Sequence, residues 1–243
     1  MKNILLEIVQ ANKTGTKLLA ILIDPDKIDI KNIENIENTL KKINNSPATH
    51  IFVGGSTVQN SILDDLILSI KTQSKLPIVL FPGHPSQISK HADGILFLNL
   101  ISGRNPDYLI DFQVQSVPKL LETNLEIMPT AYLLIDGGIV SAVQKVSKTE
   151  PLLQDNPKLI CQTAVAGEFM GNHLIYLEAG SGAKTVVSHQ IINLVSKNTT
   201  CPLIVGGGIT SKSDIDAAYQ NGATIVVIGT AFENDDCFFD QFY

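Results

Sequence analysis

Arginine is almost missing from this chain: Arg104 is the only one in 243 residues, and lysine supplies the remaining positive charge. Acidic side chains outnumber basic ones, for a net charge of −6. That balance leaves no broad basic surface for a phosphate backbone and excludes nucleic acid as a partner. Cysteine is scarce too. Cys161, Cys201 and Cys237 are odd in number, and their spacing fits no zinc motif. The simplest home for such thiols is a reducing cytoplasm. No apolar run reaches the ~18 residues of a membrane-spanning helix. Nor does the start show a basic stretch followed by the apolar core of a secretory signal. The expectation is a cytoplasmic protein whose contact with a membrane, if it has one, is at the surface. Charged residues make up only 17% and hydrophobic residues 44%, which suits a globular protein with a sizeable core.

The apolar residues come in short, regularly spaced runs. Leu18 to Ile23, His50 to Val53, Pro77 to Phe81, Gly94 to Leu98, Glu126 to Ile135, His173 to Leu177, Pro202 to Val205 and Thr224 to Ile228 read as strands buried on both faces. Amphipathic helices fall between most of them: Ile33, Ile36, Leu40 and Ile43 mark one, and Ile62, Leu63, Leu66, Ile67 and Ile70 the next. Further helices are expected over Pro106–Leu121, near His189–Lys197 and from Ser211. Eight strands alternating with helices in about 250 residues predict a single (βα)8 barrel domain over residues 1–243. An extra helix over residues 2–13, with Ile4, Leu5, Ile8 and Val9 at helical spacing, is placed to cover one barrel opening.

The pattern breaks in three places. Between the third and fourth strands lie only the twelve residues Pro82 to Asp93, interrupted by Pro82, Gly83 and Pro85. A crossover helix does not fit there, so the third helix is expected to be degenerate or missing. Ile139 to Val146 reads as an extended excursion. Pro151 to Met170 reads as mostly helical, with an irregularity at Asn156-Pro157.

In this architecture chemistry sits at the C-terminal ends of the strands. Those ends carry Asp24 and Asp26, then Ser56 and Thr57, and then Tyr176-Leu177-Glu178-Ala179-Gly180-Ser181-Gly182. Two further glycine turns follow, Val205-Gly206-Gly207-Gly208-Ile209 and Ile228-Gly229-Thr230-Ala231. Glycine lets backbone N–H groups approach an anion closely, and three such turns after late strands make a phosphate cradle. On the opposite side, a carboxylate and hydroxyls suit an oxygen-ligated Mg²⁺ that is completed by substrate phosphate oxygens. Plainer readings exist for single residues: Asp24 before Pro25 as a strand-end turn, Ser56 as a helix cap, Tyr176 as part of the core.

These residues resemble the geranylgeranylglyceryl phosphate synthases. The likeness is carried by Asp24-Pro25-Asp26-Lys27, Val53-Gly54-Gly55-Ser56, Phe81-Pro82-Gly83, Pro129-Thr130-Ala131-Tyr132-Leu133 and the three glycine turns. It covers residues 18–232, and the Tyr-Leu-Glu-Ala-Gly-Ser-Gly run is its most specific part. The resemblance implies a barrel with an altered third helix. It also implies Mg²⁺-dependent transfer of a polyprenyl group from its diphosphate to the C3 hydroxyl of sn-glycerol 1-phosphate. Carried over by position, Asp24 and Ser56 match the metal site. Tyr176, Leu177, Glu178, Ala179, Gly180, Ser181, Gly182, Gly207, Gly208, Gly229 and Thr230 match the glycerol phosphate site, with Glu178 and Asp24 as the catalytic pair. A homo-oligomer, dimer or larger, is the common assembly, and the lipid product brings a membrane surface within reach. The shorter bacterial branch has a lysine two residues before the metal aspartate; this chain has Leu22 there and looks like the longer branch, which includes archaeal enzymes.

By position, Phe81, Leu98, Leu100, Ile101 and Tyr132 are candidates for a prenyl groove, Arg104 and Lys27 for contacts to phosphate, and His84 for a loop facing the site. Competing functions on the same fold are a sugar-phosphate isomerase or aldolase, a flavin-phosphate binder and a non-catalytic lipid-binding protein. An aldolase needs a Schiff-base lysine within a strand, and none of the runs above contains one.

Overall fold

A computed structural model of the chain describes residues 3–27, 33–55, 60–234 and 238–239. Eight parallel strands close into a barrel in sequence order: β1 (Leu18–Ile23), β2 (His50–Val53), β3 (Ile78–Leu80), β4 (Gly94–Leu100), β5 (Glu126–Leu134), β6 (Leu174–Glu178), β7 (Leu203–Gly206) and β8 (Ile225–Ile228). The helices are α1 (Ile4–Thr14), α2 (Ile33–Asn44), α3 (Asn60–Gln73), α4 (Phe112–Leu121), α5 (Ala142–Ser147), α6 (Pro157–Phe169), α7 (His189–Asn198), α8 (Lys212–Gln220) and the short α9 (Thr230–Asn234). The strands are runs of β-branched and Leu residues because both of their faces are covered. One set of side chains, among them Ala20, Phe52, Val79, Leu96, Met128, Tyr132 and Tyr176, fills the barrel. The alternate set, including Ile21, Ile51, Leu80, Leu133 and Leu177, packs under the helices.

α1 closes the N-terminal opening. Its Ile4 and Ile8 are fully buried in the interior cluster; burying a side chain of that size contributes about 1.5–3 kcal/mol. The first amides of α1, those of Ile4 and Leu5, lack intrahelical partners. Both donate to the Glu126 carboxylate at the start of β5, at 2.6 and 2.9 Å.

The connection from β3 to β4 has no helix. It packs as an irregular cover: Ile88 and Ala92 enter the outer core, Gln87 is buried, and its Oε1 accepts the Gly83 N–H at 2.7 Å. Asp93 ends it by accepting the Ile78 N–H at 2.9 Å and pairing with Lys71 at 3.2 Å. β3 and β4 share two register pairs, fewer than any other neighbours in the barrel.

Three expectations change. Residues 139–146 are not an extended excursion: Ser141 caps α5, its Oγ accepting the Gln144 N–H at 3.1 Å. α6 starts at Pro157 rather than running from Pro151, so Asn156-Pro157 is its beginning. Asn156 caps it, accepting the Leu159 N–H at 3.1 Å, and Pro157 takes the first turn, where its missing donor costs nothing. The helix expected from Pro106 opens as a π turn over Asp107–Asp111 before α4 begins.

Candidate active site

A cavity of about 520 Å³ opens at the C-terminal ends of the strands. One end is polar, lined by Glu178, Gly180, Ser181, Gly182, Gly207, Gly208, Thr210, Gly229 and Thr230. Asp24, Lys27, Gly54 and Gly55 border it on the β1–β2 side. The rest is apolar and runs over the rim of the barrel beside β4. Leu98 and Leu100, but also the outward-facing Ile95 and Phe97, line it, together with Ile88, Tyr108, Phe112, Val143 and Val146. The slot left by the absent helix is therefore continuous with the barrel mouth.

Glu178 is the last residue of β6. Period-2 alternation puts its side chain on the same inward face as Tyr176, two residues earlier. It is only 7% exposed, and its Oε1 accepts the Gly180 N–H at 2.7 Å. Burial raises its pKa to about 7, against the lowering effect of the Gly180 N–H and the Tyr176 hydroxyl. The charge of Glu178 in turn adds to burial in raising the phenols of Tyr176 and Tyr132 well above their ordinary values. Both hydroxyls lie buried; that of Tyr176 stands by the Glu178 carboxylate, and that of Tyr132 has no hydrogen-bond partner among the described residues.

Glycine at two positions makes room for this carboxylate. A Cβ on Gly206 would stand 2.7 Å from both Glu178 Oε2 and the Tyr176 hydroxyl. On Gly207 it would stand 2.5 Å from Glu178 Oε1, and the residue's φ of +85° is in the left-handed region besides. The turn after β6 and the turn after β7 are thus shaped around one side chain. A hydrogen bond of 3.1 Å between Ser181 Oγ and Thr230 Oγ1 ties the β6 turn to the start of α9.

Most of the expected site residues gather here. Asp24 lines the cavity, with its Oδ1 accepting the Asp26 N–H at 3.1 Å, while Asp26 itself is exposed outside it. Tyr176, Glu178, Gly180, Ser181, Gly182, Gly207, Gly208, Gly229 and Thr230 all border it. Leu177 and Ala179 do not: their side chains pack in the outer core, and the Ala179 N–H donates to the Gly206 carbonyl at 3.0 Å. Ser56 and Thr57 lie outside the described residues. Among the described residues no three His, Cys, Asp or Glu side chains gather as a metal cluster.

The groove candidates divide in the same way. Phe81, Leu98, Leu100 and Tyr132 line the cavity, but Ile101 is turned into the outer core. Arg104 does not line the cavity; its guanidinium donates to the carbonyls of Ile101 and Gly103. His84 borders the apolar part and meets the Phe112 ring edge-on at 5.1 Å. Sequence reading missed the wall supplied by α5, whose signal was a Ser141 cap three residues before Gln144 with Val143 and Val146 one turn apart. It also missed the π turn that presents Tyr108 and Phe112, a kind of irregularity frequent at functional sites. Asn99 and Gln113 side chains brace that turn, donating to the Leu109 carbonyl at 2.6 Å and the Tyr108 carbonyl at 3.2 Å.

The family model for PcrB matches residues 13–243. A geranylgeranylglyceryl phosphate synthase of Flavobacterium johnsoniae is 58% identical over 235 residues, covering 97% of this chain and 96% of the relative. One of Zunongwangia profunda is 51% identical over 236 residues, covering 97% and 99%. Among solved structures, (S)-3-O-geranylgeranylglyceryl phosphate synthase of Thermoplasma acidophilum, in complex with the substrate sn-glycerol-1-phosphate, superposes with a TM-score of 0.89. It is 30% identical, and the match covers 99% of this chain and 95% of that one.

Proposed function

The chain belongs to the PcrB family, and from that premise and the shape of the cavity we infer that it joins a polyprenyl diphosphate to the C3 hydroxyl of sn-glycerol 1-phosphate. It is a prenyltransferase, and its products are an ether-linked prenylglyceryl phosphate and diphosphate. The observation that carries this reading is a single cavity in which a glycine-lined polar end and an apolar channel meet at one buried carboxylate.

The residues then take the following roles. The turns at Gly207–Gly208 and Gly229–Thr230, with Ser181 and Gly182, receive the glycerol phosphate; the positive φ of Gly182, Gly207 and Gly208 supports a backbone that approaches an anion closely. Glu178 accepts the proton of the C3 hydroxyl. A carboxyl with a pKa of about 7 is half ionised at neutral pH and still basic enough to take a proton. The Gly180 N–H holds Oε1, and the Tyr176 hydroxyl stands by the same carboxylate; together they fix its orientation at the cavity. The channel beside β4 takes the polyprenyl tail and keeps water from C1.

Asp24 is the residue we assign to Mg²⁺, with Ser56 as its expected companion. An aspartate on the cavity wall, at the end of the strand next to β8, is the hard oxygen donor this ion takes, and the ion commonly completes its shell with substrate phosphate oxygens and water. When bound, the ion neutralises charge on the departing diphosphate. Lys27, on the same side of the cavity, adds a cation toward that group.

We read the protein as a single-domain enzyme of the cytoplasm that works as a homo-oligomer. The free thiols of Cys161 and Cys201 fit a reducing compartment, and no helix among the described residues is long and apolar enough to cross a membrane. The strongly exposed Leu121, Phe169 and Met170 offer apolar surface for a second copy. The deciding assay combines purified protein, Mg²⁺, geranylgeranyl diphosphate and either sn-glycerol 1-phosphate or its 3-phosphate enantiomer. The expected result is an ether product with the first acceptor only; no ether from either acceptor overturns the reading.

A further inference from the structure

Three rings pack together at the cavity floor. Phe81 stacks on Tyr176 with centroids 5.2 Å apart and planes inclined by 20°. Tyr132 closes the triangle, 5.9 Å from Phe81 and 5.3 Å from Tyr176. Tyr132 and Tyr176 are register partners on neighbouring strands, and all three rings border the cavity. The Tyr176 hydroxyl stands by the Glu178 carboxylate, while the Tyr132 hydroxyl has no hydrogen-bond partner among the described residues and Phe81 has no hydroxyl, so what the three side chains share is the aromatic ring.

The position of the cluster suggests what the rings face. Glu178 and the cradle stand on its β6–β8 side, Asp24 on its β1 side, and the apolar channel leaves from its β3–β4 side. A substrate with its tail in that channel, its diphosphate toward Asp24 and its C1 within reach of a hydroxyl at Glu178 has C1 above these rings. The bond from C1 to the diphosphate oxygen breaks, and its electron pair leaves with the diphosphate. Positive charge develops on the allylic carbons. A lone pair of the glycerol C3 oxygen forms the new ether bond to C1, and the hydroxyl proton passes to Glu178. Aromatic faces are negative and attract a cation, most strongly where water is excluded.

Resting on the prenyl-transfer reading above, we propose that Phe81 and Tyr132 are catalytic residues whose rings stabilise the allylic cation, with the fully buried Tyr176 ring packed behind Phe81 as a positioning residue. Tyr132 stands on β5, between the channel beside β4 and the Glu178 strand.

The test uses the full chain with Mg²⁺, sn-glycerol 1-phosphate, geranylgeranyl diphosphate and a 2-fluoro analogue whose fluorine destabilises allylic charge. Tyr132→Phe keeps the ring and is expected to hold kcat within about threefold of wild type. Tyr132→Leu and Phe81→Leu remove a ring and are expected to lose about 3- to 30-fold in kcat, the range open to a cation–π contact. KM for both substrates should stay within about threefold. The rate penalty for the fluorinated substrate should also grow in the leucine variants, a change that loss of packing alone does not produce. If Tyr132→Leu melts far below wild type, Tyr132→Met serves in its place, keeping apolar volume without a π face. Leucine or methionine variants that fold and turn over at the wild-type rate overturn the proposal. So does a Tyr132→Phe variant as slow as Tyr132→Leu, which would put the effect in the hydroxyl. A wild-type protein that makes no ether fails at the earlier step and overturns the function together with this proposal.

Discussion

Replacing Glu178 by glutamine removes a negative charge from a buried site and leaves its shape and its bond from the Gly180 N–H in place. The wild-type carboxyl, raised by burial from 4.5 to about 7, holds its proton more tightly in the folded chain than in the unfolded one. Below pH 4.5 both states are protonated, and the substitution changes little. Between 4.5 and 7 the unfolded chain ionises first, so wild-type stability falls as pH rises. Above 7 the folded chain carries the full penalty of a buried charge. At ~1.4 kcal/mol for each pH unit, this shift is worth about 3 kcal/mol. Glutamine does not titrate and avoids that cost. For a chain of this length, melting moves ~2–4 °C for each kcal/mol, so Glu178→Gln is expected to melt roughly 6–12 °C above wild type at pH 8. The two proteins should converge near pH 4.5. The assay is a set of thermal melts of both proteins across that range, without substrates. A constant difference at all pH values, or a wild type that is the more stable at pH 8, refutes the account of Glu178 as a buried, charge-penalised carboxylate. The same variant is expected to lose about 10²–10⁴-fold in transfer, as removal of a general base does; stability is given up at this position for activity.

Three further outcomes follow from the same geometry. The kcat/KM for glycerol phosphate should climb with pH through about 7 as Glu178 loses its proton, and a flat profile from pH 6 to 8.5 removes it as the base. Gly208→Val forces a β-branched residue to φ +71° and sets a Cβ 3.1 Å from the Ala183 carbonyl; KM for glycerol phosphate should rise at least tenfold more than KM for the prenyl diphosphate, and equal rises move the phosphate elsewhere. Asp24→Asn should cut turnover by about 10² or more while calorimetry still finds glycerol phosphate bound, and near-normal turnover at limiting Mg²⁺ defeats the metal assignment.

The barrel was legible because strands buried on both faces are spelled as unbroken Leu, Ile and Val runs, and because Pro82, Gly83 and Pro85 leave no room for a third helix. What misled was local. The stretch around α5 is too short for helical periodicity to stand out, and only its Ser141 cap marks it. The Asn156-Pro157 pair looked like a flaw inside a helix, although a capping residue followed by proline is a start signal. At the site, Tyr176 and Glu178 could be placed together from their spacing of two, and the same rule turns Leu177 away into the outer core. Ile101 and Arg104 were assigned by proximity in sequence to a strand end, and only packing decides such residues. The carboxylate pocket formed by Gly206 and Gly207 joins turns from two different strands, a juxtaposition that no local pattern encodes.

The missing helix has a consequence for how the barrel breathes. With two register pairs joining β3 to β4, and a loop instead of a helix over that seam, this is where the fewest ladder bonds resist local opening. The apolar channel runs along the same seam, over Ile95 and Phe97 on the outer side of β4. A polyprenyl tail lying there covers strand surface that a helix covers elsewhere in the barrel. On the proposed function, the substrate is then a temporary element of the hydrophobic core, laid over the seam that the fewest register pairs join.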